Sequence, residues 1–219
     1  MSVPQSITRN MNENILTRKS LGNNLSGAVS YQVPDNITEI ANYTFQGCSD
    51  LERVVIPDSV TRIGEGAFCD CEKLREIVLP NSLDELNGLV FFNCAALEVI
   101  TIPNSVRRIG SCAFSGCERL KTILIPDVDK IESSAFYGCT SLESVVLPKT
   151  ITEIPAFCFY HCGCLRNIDL PDSIISIEQW AFSGCDQLEQ LTVPNTIRKI
   201  GNNAYEGTLL FHPVIPNDG

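Results

Sequence analysis

Leu97-Glu-Val-Ile100-Thr-Ile102-Pro103-Asn-Ser-Val106-Arg-Arg-Ile109-Gly-Ser-Cys-Ala113-Phe114-Ser-Gly-Cys117 is one turn of a pattern that fills most of this chain. Its proline sets the period. Equivalent prolines stand at 34, 57, 80, 103, 126, 148, 171 and 194, spaced by 23, 23, 23, 23, 22, 23 and 23 residues. A fixed period of this length is the mark of a solenoid, in which units that cannot close a core alone stack on one another. The periodicity therefore predicts one elongated domain, although 219 residues could fill two globular ones.

Aligning on the prolines gives each position a role. An aliphatic residue precedes each proline (Val33, Ile56, Leu79, Ile102, Ile125, Leu147, Leu170, Val193), and another stands two places earlier, as in Val54, Ile77 and Ile100. That alternation fits a short strand with one buried face. Proline then ends the strand, because it has no N–H for the ladder. A Pro-Asp-Ser or Pro-Asn-Ser turn follows in most copies, then a second apolar pair such as Val106 and Ile109, then Ala-Phe-x-Gly-Cys. This last segment reads as a short helical turn with Phe and Cys pointing inward. Some copies depart from the pattern: the Pro126 turn is one residue short, Pro155 replaces glycine, and Val90-Phe91-Phe92 replaces Ala-Phe-x. Local kinks are expected there.

These motifs together resemble the BspA-like (Treponema-type) class of leucine-rich repeat. The resemblance implies a mainly β, right-handed superhelix of about eight 23-residue repeats with a parallel sheet along one face. It also implies protein binding or cell adhesion, mostly at bacterial surfaces and in some protists. On this reading residues 1–27 form an N-terminal segment or cap, 28–208 the repeat domain and 209–219 a partial repeat. Pro216 lies 22 residues after Pro194, which reads as a ninth strand-like segment where a fragment or a simple cap ends.

Composition narrows the function. Hydrophobic residues make up 44% of the chain and charged ones 19%, so it is not a disordered polyelectrolyte. A net charge of −10 opposes nucleic-acid binding, since phosphate recognition needs clustered cations. The compact basic pairs, Arg107-Arg108 and Arg198-Lys199, read as solvated surface. No apolar run is long enough to cross a bilayer. Met1–Asn10 has no apolar leader core, which predicts either a cytosolic protein or one whose leader has been lost. The resemblance points instead to the cell surface.

Seven of the eleven cysteines share one repeat position: Cys48, Cys71, Cys94, Cys117, Cys139, Cys162 and Cys185. They read as a ladder of buried thiols, because stacked parallel side chains cannot readily reach the torsion of a disulfide. Free thiols favour a reducing compartment. Cys158-Phe-Tyr-His161-Cys162-Gly-Cys164 is the one stretch resembling a Cys/His metal or thiol site. Zinc needs four convergent ligands, and no second pair stands at ligand spacing. No phosphate loop, nucleophile elbow or zinc-protease motif occurs, so neither catalysis nor a cofactor is expected. The sequons at Asn24, Asn36 and Asn42 carry weight only in a protein secreted from a eukaryote.

Two surfaces are candidates for binding another protein. Val78, Val99, Thr101, Leu124 and Val146 fall on the outward side of the strands, forming an apolar stripe with polar edges. Tyr137 and Tyr160 share one turn position in adjacent repeats, and Phe157 and Trp180 share another. The alternative is a structural array self-associating through its repeat ends.

Overall fold

The computed structural model describes residues 14–22 and 27–210. The leader reading of Met1–Asn10, the Asn24 sequon and the Pro216 segment lie outside them. Each repeat forms one coil of a mainly β solenoid, with two short strands separated by the proline turn in all but the Pro103 repeat, which has only the second. The first series comprises Ser30–Gln32, Arg53–Val55, Glu76–Val78, Thr122–Leu124, Ser144–Val146, Asn167–Asp169 and Gln190–Thr192. The second comprises Glu39–Ile40, Arg62–Ile63, Glu85–Leu86, Arg108–Ile109, Lys130–Ile131, Glu153–Ile154, Ser176–Ile177 and Lys199–Ile200. Every pairing within these two series is parallel and joins equivalent repeat positions, as Val54 with Ile77 and Ile40 with Ile63.

The register follows from burial. In Glu76–Val78, Thr122–Leu124 and Ser144–Val146 the middle residue is buried and its neighbours are exposed. A slip by one residue would put the apolar side chains in water. Past the strand, the Pro57 carbonyl accepts from the Val60 amide at 3.0 Å and closes the turn. The shortened Pro126 turn closes one residue earlier, from Val128 to Pro126 at 2.7 Å, and Val128 still reaches the core.

One expectation is corrected. The Ala-Phe-x-Gly-Cys segment is not helical. Positive φ recurs two residues before and two after the inward phenylalanine, as at Cys112 (54°) and Gly116 (76°) around Phe114. Left-handed residues cannot propagate a right-handed helix, so the segment folds as two successive turns. Its alternate amides bond to the next coil instead: Phe114 N–H donates to Ala135 O at 2.8 Å and Gly116 N–H to Tyr137 O at 2.8 Å. Among the described residues the one helix is Arg18–Leu21, capped by Thr17.

The expected parallel sheet is present as several short sheets. Each strand series is divided into sheets of two or three strands. Residues 99–101 belong to no strand, and no ladder bond ties them to Glu76–Val78 or Thr122–Leu124. In the second series Pro155 accounts for the break between Lys130–Ile131 and Glu153–Ile154. Gly110 N–H donates to Leu86 O at 2.8 Å and Gly201 N–H to Ile177 O at 2.7 Å, but Pro155 has no proton to give Ile131.

Residues 14–22, which match no repeat, lie over the first coil. Ile15–Leu16 pairs with Glu39–Ile40, and Leu16 and Leu21 are buried. The Arg18 guanidinium donates to the Gln46 carbonyl at 2.7 Å.

The core is a file of rings and thiols. Phe45, Phe68, Phe91, Phe114, Phe136, Phe159 and Phe182 are fully buried and stack coil upon coil, with centroids 4.9 to 5.7 Å apart. That spacing is within the favourable range for offset aromatic pairs. Beside them each ladder cysteine from Cys71 to Cys185 donates its S–H to the phenylalanine carbonyl one coil back, at 3.1 to 3.3 Å. All eleven cysteines are unpaired. The ladder is thus more than apolar filling, because each thiol fills a lone pair on a buried carbonyl.

Glycine is needed where coils approach closely. A Cβ on Gly110 would stand 2.5 Å from the Gly88 amide nitrogen, which is backbone and cannot swing aside. Ala41, Glu132 and Glu178 hold the same repeat position elsewhere, so the spacing is set coil by coil. Gly110→Ala should lower the unfolding free energy by about 1–3 kcal/mol, the usual cost of overpacking. Urea denaturation of the variant beside the parent measures this, and an unchanged midpoint would show that the coils can part freely.

Candidate functional site

The first candidate surface lies on the outward side of the first strand series. Side chains alternate across a strand, so the residues flanking each buried middle position face solvent. Val78 is 44% exposed, Val99 63%, Leu124 67% and Val146 55%, and Thr101 is exposed beside them. The five residues therefore share a solvent-facing side over four successive coils. The unpaired segment at 99–101 adds relief: a cleft of about 450 Å³ opens between residues 75–78 and 98–101. The stripe ends in polar residues, Arg53 paired with Glu76 at 3.2 Å on one side and Thr192 hydrogen-bonded to Asp169 at 2.9 Å on the other.

The second surface lies on the turn edge, where the two left-handed positions aim side chains outward. Phe157 and Trp180 both occupy the first of these positions, with φ of 58° and 61°, and their rings stack at 6.3 Å. Tyr137 and Tyr160, one residue past the buried phenylalanine of their coils, stack at 5.0 Å. Edge contacts of Tyr160 with Phe157 (5.7 Å) and Trp180 (6.2 Å) join the pairs into one cluster. All four aromatic residues expected at this edge are thus brought together. Sequence reasoning did not place His161 among them, yet its ring lies 4.1 Å from that of Tyr160. The clue was its repeat position, directly after Tyr160 and shared with Gly138 and Gly184. Below the cluster runs a groove of about 510 Å³ that reaches back to Phe92.

The stretch resembling a metal site points in two directions. Cys158 and Cys162 are buried in the core, and Cys162 donates to Phe136 O at 3.2 Å. His161 faces solvent and Cys164 is half-buried. Among the described residues no three His, Cys, Asp or Glu side chains are grouped to share an ion. Burial pushes the Cys162 thiol well above its ordinary value, opposite to what a nucleophile requires. Among the described residues, no helix is long and apolar enough to cross a membrane.

The coil geometry and repeat register agree with a family model described as the BspA type leucine rich repeat region (6 copies), which matches residues 23–130 and 120–218. The chain belongs to this family. As a BspA type repeat protein it is similar to a leucine-rich repeat protein from Bacteroides ovatus, with 33% identity and a TM-score of 0.84 over 86% of this chain and 52% of that one. The chain thus spans about half the length of that relative. It is also similar to the T. pallidum leucine-rich repeat protein, at 28% identity and a TM-score of 0.57 over 80% of this chain and 74% of that one. A leucine-rich repeat protein from Eubacterium ventriosum shares the fold at 22% identity, with a TM-score of 0.58 over 86% of this chain and 67% of that one. No curated protein matches the chain by sequence. BspA type repeat arrays are generally non-catalytic scaffolds whose extended surfaces bind other proteins.

Proposed function

We propose that the chain is a non-catalytic scaffold that binds another protein through the outward face of its first strand series. One observation carries this reading: Leu124, the most exposed of the four aliphatic residues in the stripe, is 67% exposed in the middle of it. Strand propensity accounts for an exposed valine, because β-branched residues suit a pleated surface. It does not account for leucine. At the same position two coils later stands Asp169, so the strand tolerates a polar residue there. A contiguous exposed apolar patch in an otherwise well-buried solenoid is the usual sign of a contact surface. The partner would cover Val99, Leu124 and Val146, with Thr101 and the cleft beside Val78 shaping the contact.

The test is the double variant Val99→Glu with Leu124→Glu. Both side chains are in solvent, so far-UV circular dichroism and the melting temperature should stay as in the parent. Binding to a partner captured from the host should fall at least tenfold, the scale at which a central interface residue acts. Undiminished capture by the variant would remove this face from consideration.

A further inference from the structure

The turn-edge groove is shaped by the residues that line it. In the second left-handed position Gly116 and Gly138 follow one another, with φ of 76° and 68°. That conformation does not itself require glycine here, since Asn93 and His161 adopt it in the flanking coils with φ of 57° and 58°. Two successive coils without a side chain leave a trough, with Asn93 and His161 at the same position in the coils that flank it. Along one wall Phe92 and Tyr137 occupy the same repeat position two coils apart, with the small, buried Ser115 between them. At about 4.8 Å per coil the rings flank a slot roughly 10 Å wide. That is room for an alkyl stem or a guanidinium lying against one ring.

The opposite rim is acidic. Glu118 and Asp186 line the groove and are exposed, and among the described residues neither takes part in an ion pair. No lysine or arginine lines the groove, and the neighbouring Arg119 is turned to Glu98 at 3.9 Å. Aromatic faces on one side and unpaired carboxylates on the other match a lysine or arginine side chain, by cation–π contact and charge-assisted hydrogen bonding. Glu118 and Asp186 stand three coils apart, about 14 Å. An extended chain rises about 3.3 Å per residue, so four residues span that distance, and an even number returns both side chains to one face.

We propose that this groove takes an extended basic segment of a partner protein, with two cationic side chains four residues apart. The inference rests on the reading of the chain as a protein-binding scaffold and adds a second surface with its own ligand chemistry.

The experiment uses the full chain and fluorescein-labelled twelve-residue peptides of glycine, serine and threonine carrying two arginines, spaced either four or three apart. Anisotropy should show the four-spaced peptide binding at least tenfold more tightly than the three-spaced one. The isosteric pair Glu118→Gln with Asp186→Asn should abolish that preference, as should Tyr137→Ala. Leu124→Glu, on the other face, should leave it intact. Equal affinity for the two spacings would mean attraction to a net negative chain only, and would overturn the proposal. So would binding that survives the charge substitutions, or a neutral oligosaccharide displacing the peptide. If the peptides fail while Val99→Glu with Leu124→Glu still abolishes partner capture, the groove proposal alone falls.

Discussion

Phe114→Ala should cost about 3–5 kcal/mol of unfolding free energy, the range for truncating a buried phenylalanine. The ring lies between Phe91 and Phe136, at 5.4 Å from each, and is wholly buried. Truncation removes both ring contacts and leaves a void that the coils cannot close. Their spacing is held by backbone bonds such as Phe114 N–H to Ala135 O and Phe91 N–H to Ala113 O, both 2.8 Å. In a solenoid each coil contacts only its neighbours, so stability is nearly a sum of unit and interface terms. Phe114 belongs to the fourth of eight coils, and its loss weakens both interfaces of that coil. Urea unfolding should therefore separate into two transitions, whereas Phe159→Leu, which keeps most of the buried volume, should move a single transition slightly. One unshifted transition for Phe114→Ala would mean that the ring file adds nothing to cohesion.

The period, the register and the identity of the buried residues were legible because each depends on an alternation repeated eight times. Val54, Ile77 and Ile123 are buried where the period puts them. Features made by a single coil, or by the fit between two coils, were less legible. Pro155 could be recognised as a local fault, since its missing N–H is a property of the residue itself. The gap at 99–101 could not, because Val99-Ile100-Thr101 is as suited to a strand as its neighbours. The strand Ile15–Leu16 escaped notice for a different reason: two residues are too few to show a period. The turn after each second strand was not legible as non-helical, because alanine suits a helix and nothing in Ala-Phe-x-Gly-Cys rules one out. Its left-handed residues include Leu89, Phe157 and Trp180, whose side chains give no sign of that conformation.

The candidate surfaces divide in the same way. The outward stripe followed from strand alternation alone. The aromatic cluster followed from pairs at shared repeat positions, which stacking must bring together. The groove did not follow, because Phe92, Gly138, Glu118 and Asp186 come from four coils and three repeat positions. Its shape depends on side chains that are absent as much as on those present.

The thiol ladder should make the fold sensitive to alkali. Burial raises the Cys71, Cys94, Cys117 and Cys162 thiols well above their ordinary 9.0, and it pushes Cys139 and Cys185 up to about 12. A folded-state value above the unfolded one stabilises the fold while the unfolded thiol stays protonated. That stability is lost as the pH rises from the unfolded value toward the folded one. The window opens near pH 9 and, for Cys139 and Cys185, extends to about 12. One pH unit into it, each unfolded thiol favours ionisation by about 1.4 kcal/mol that its folded counterpart cannot match. For six thiols the sum is roughly 8 kcal/mol by pH 10, comparable with the whole stability of a typical domain. Urea midpoints in the presence of a non-thiol reductant should therefore change little between pH 7 and 8 and collapse between pH 9 and 10.5. Cys117→Ala should flatten that fall by about one sixth, although it also removes the S–H that Phe91 O accepts at 3.3 Å. Below pH 8 the two effects separate: there the variant shows only the lost hydrogen bond and packing, about 1–2 kcal/mol. A midpoint unaffected by alkali would mean that the thiols are wetter than their burial implies, and the ladder would lose its place as the element that ties each coil to the one before.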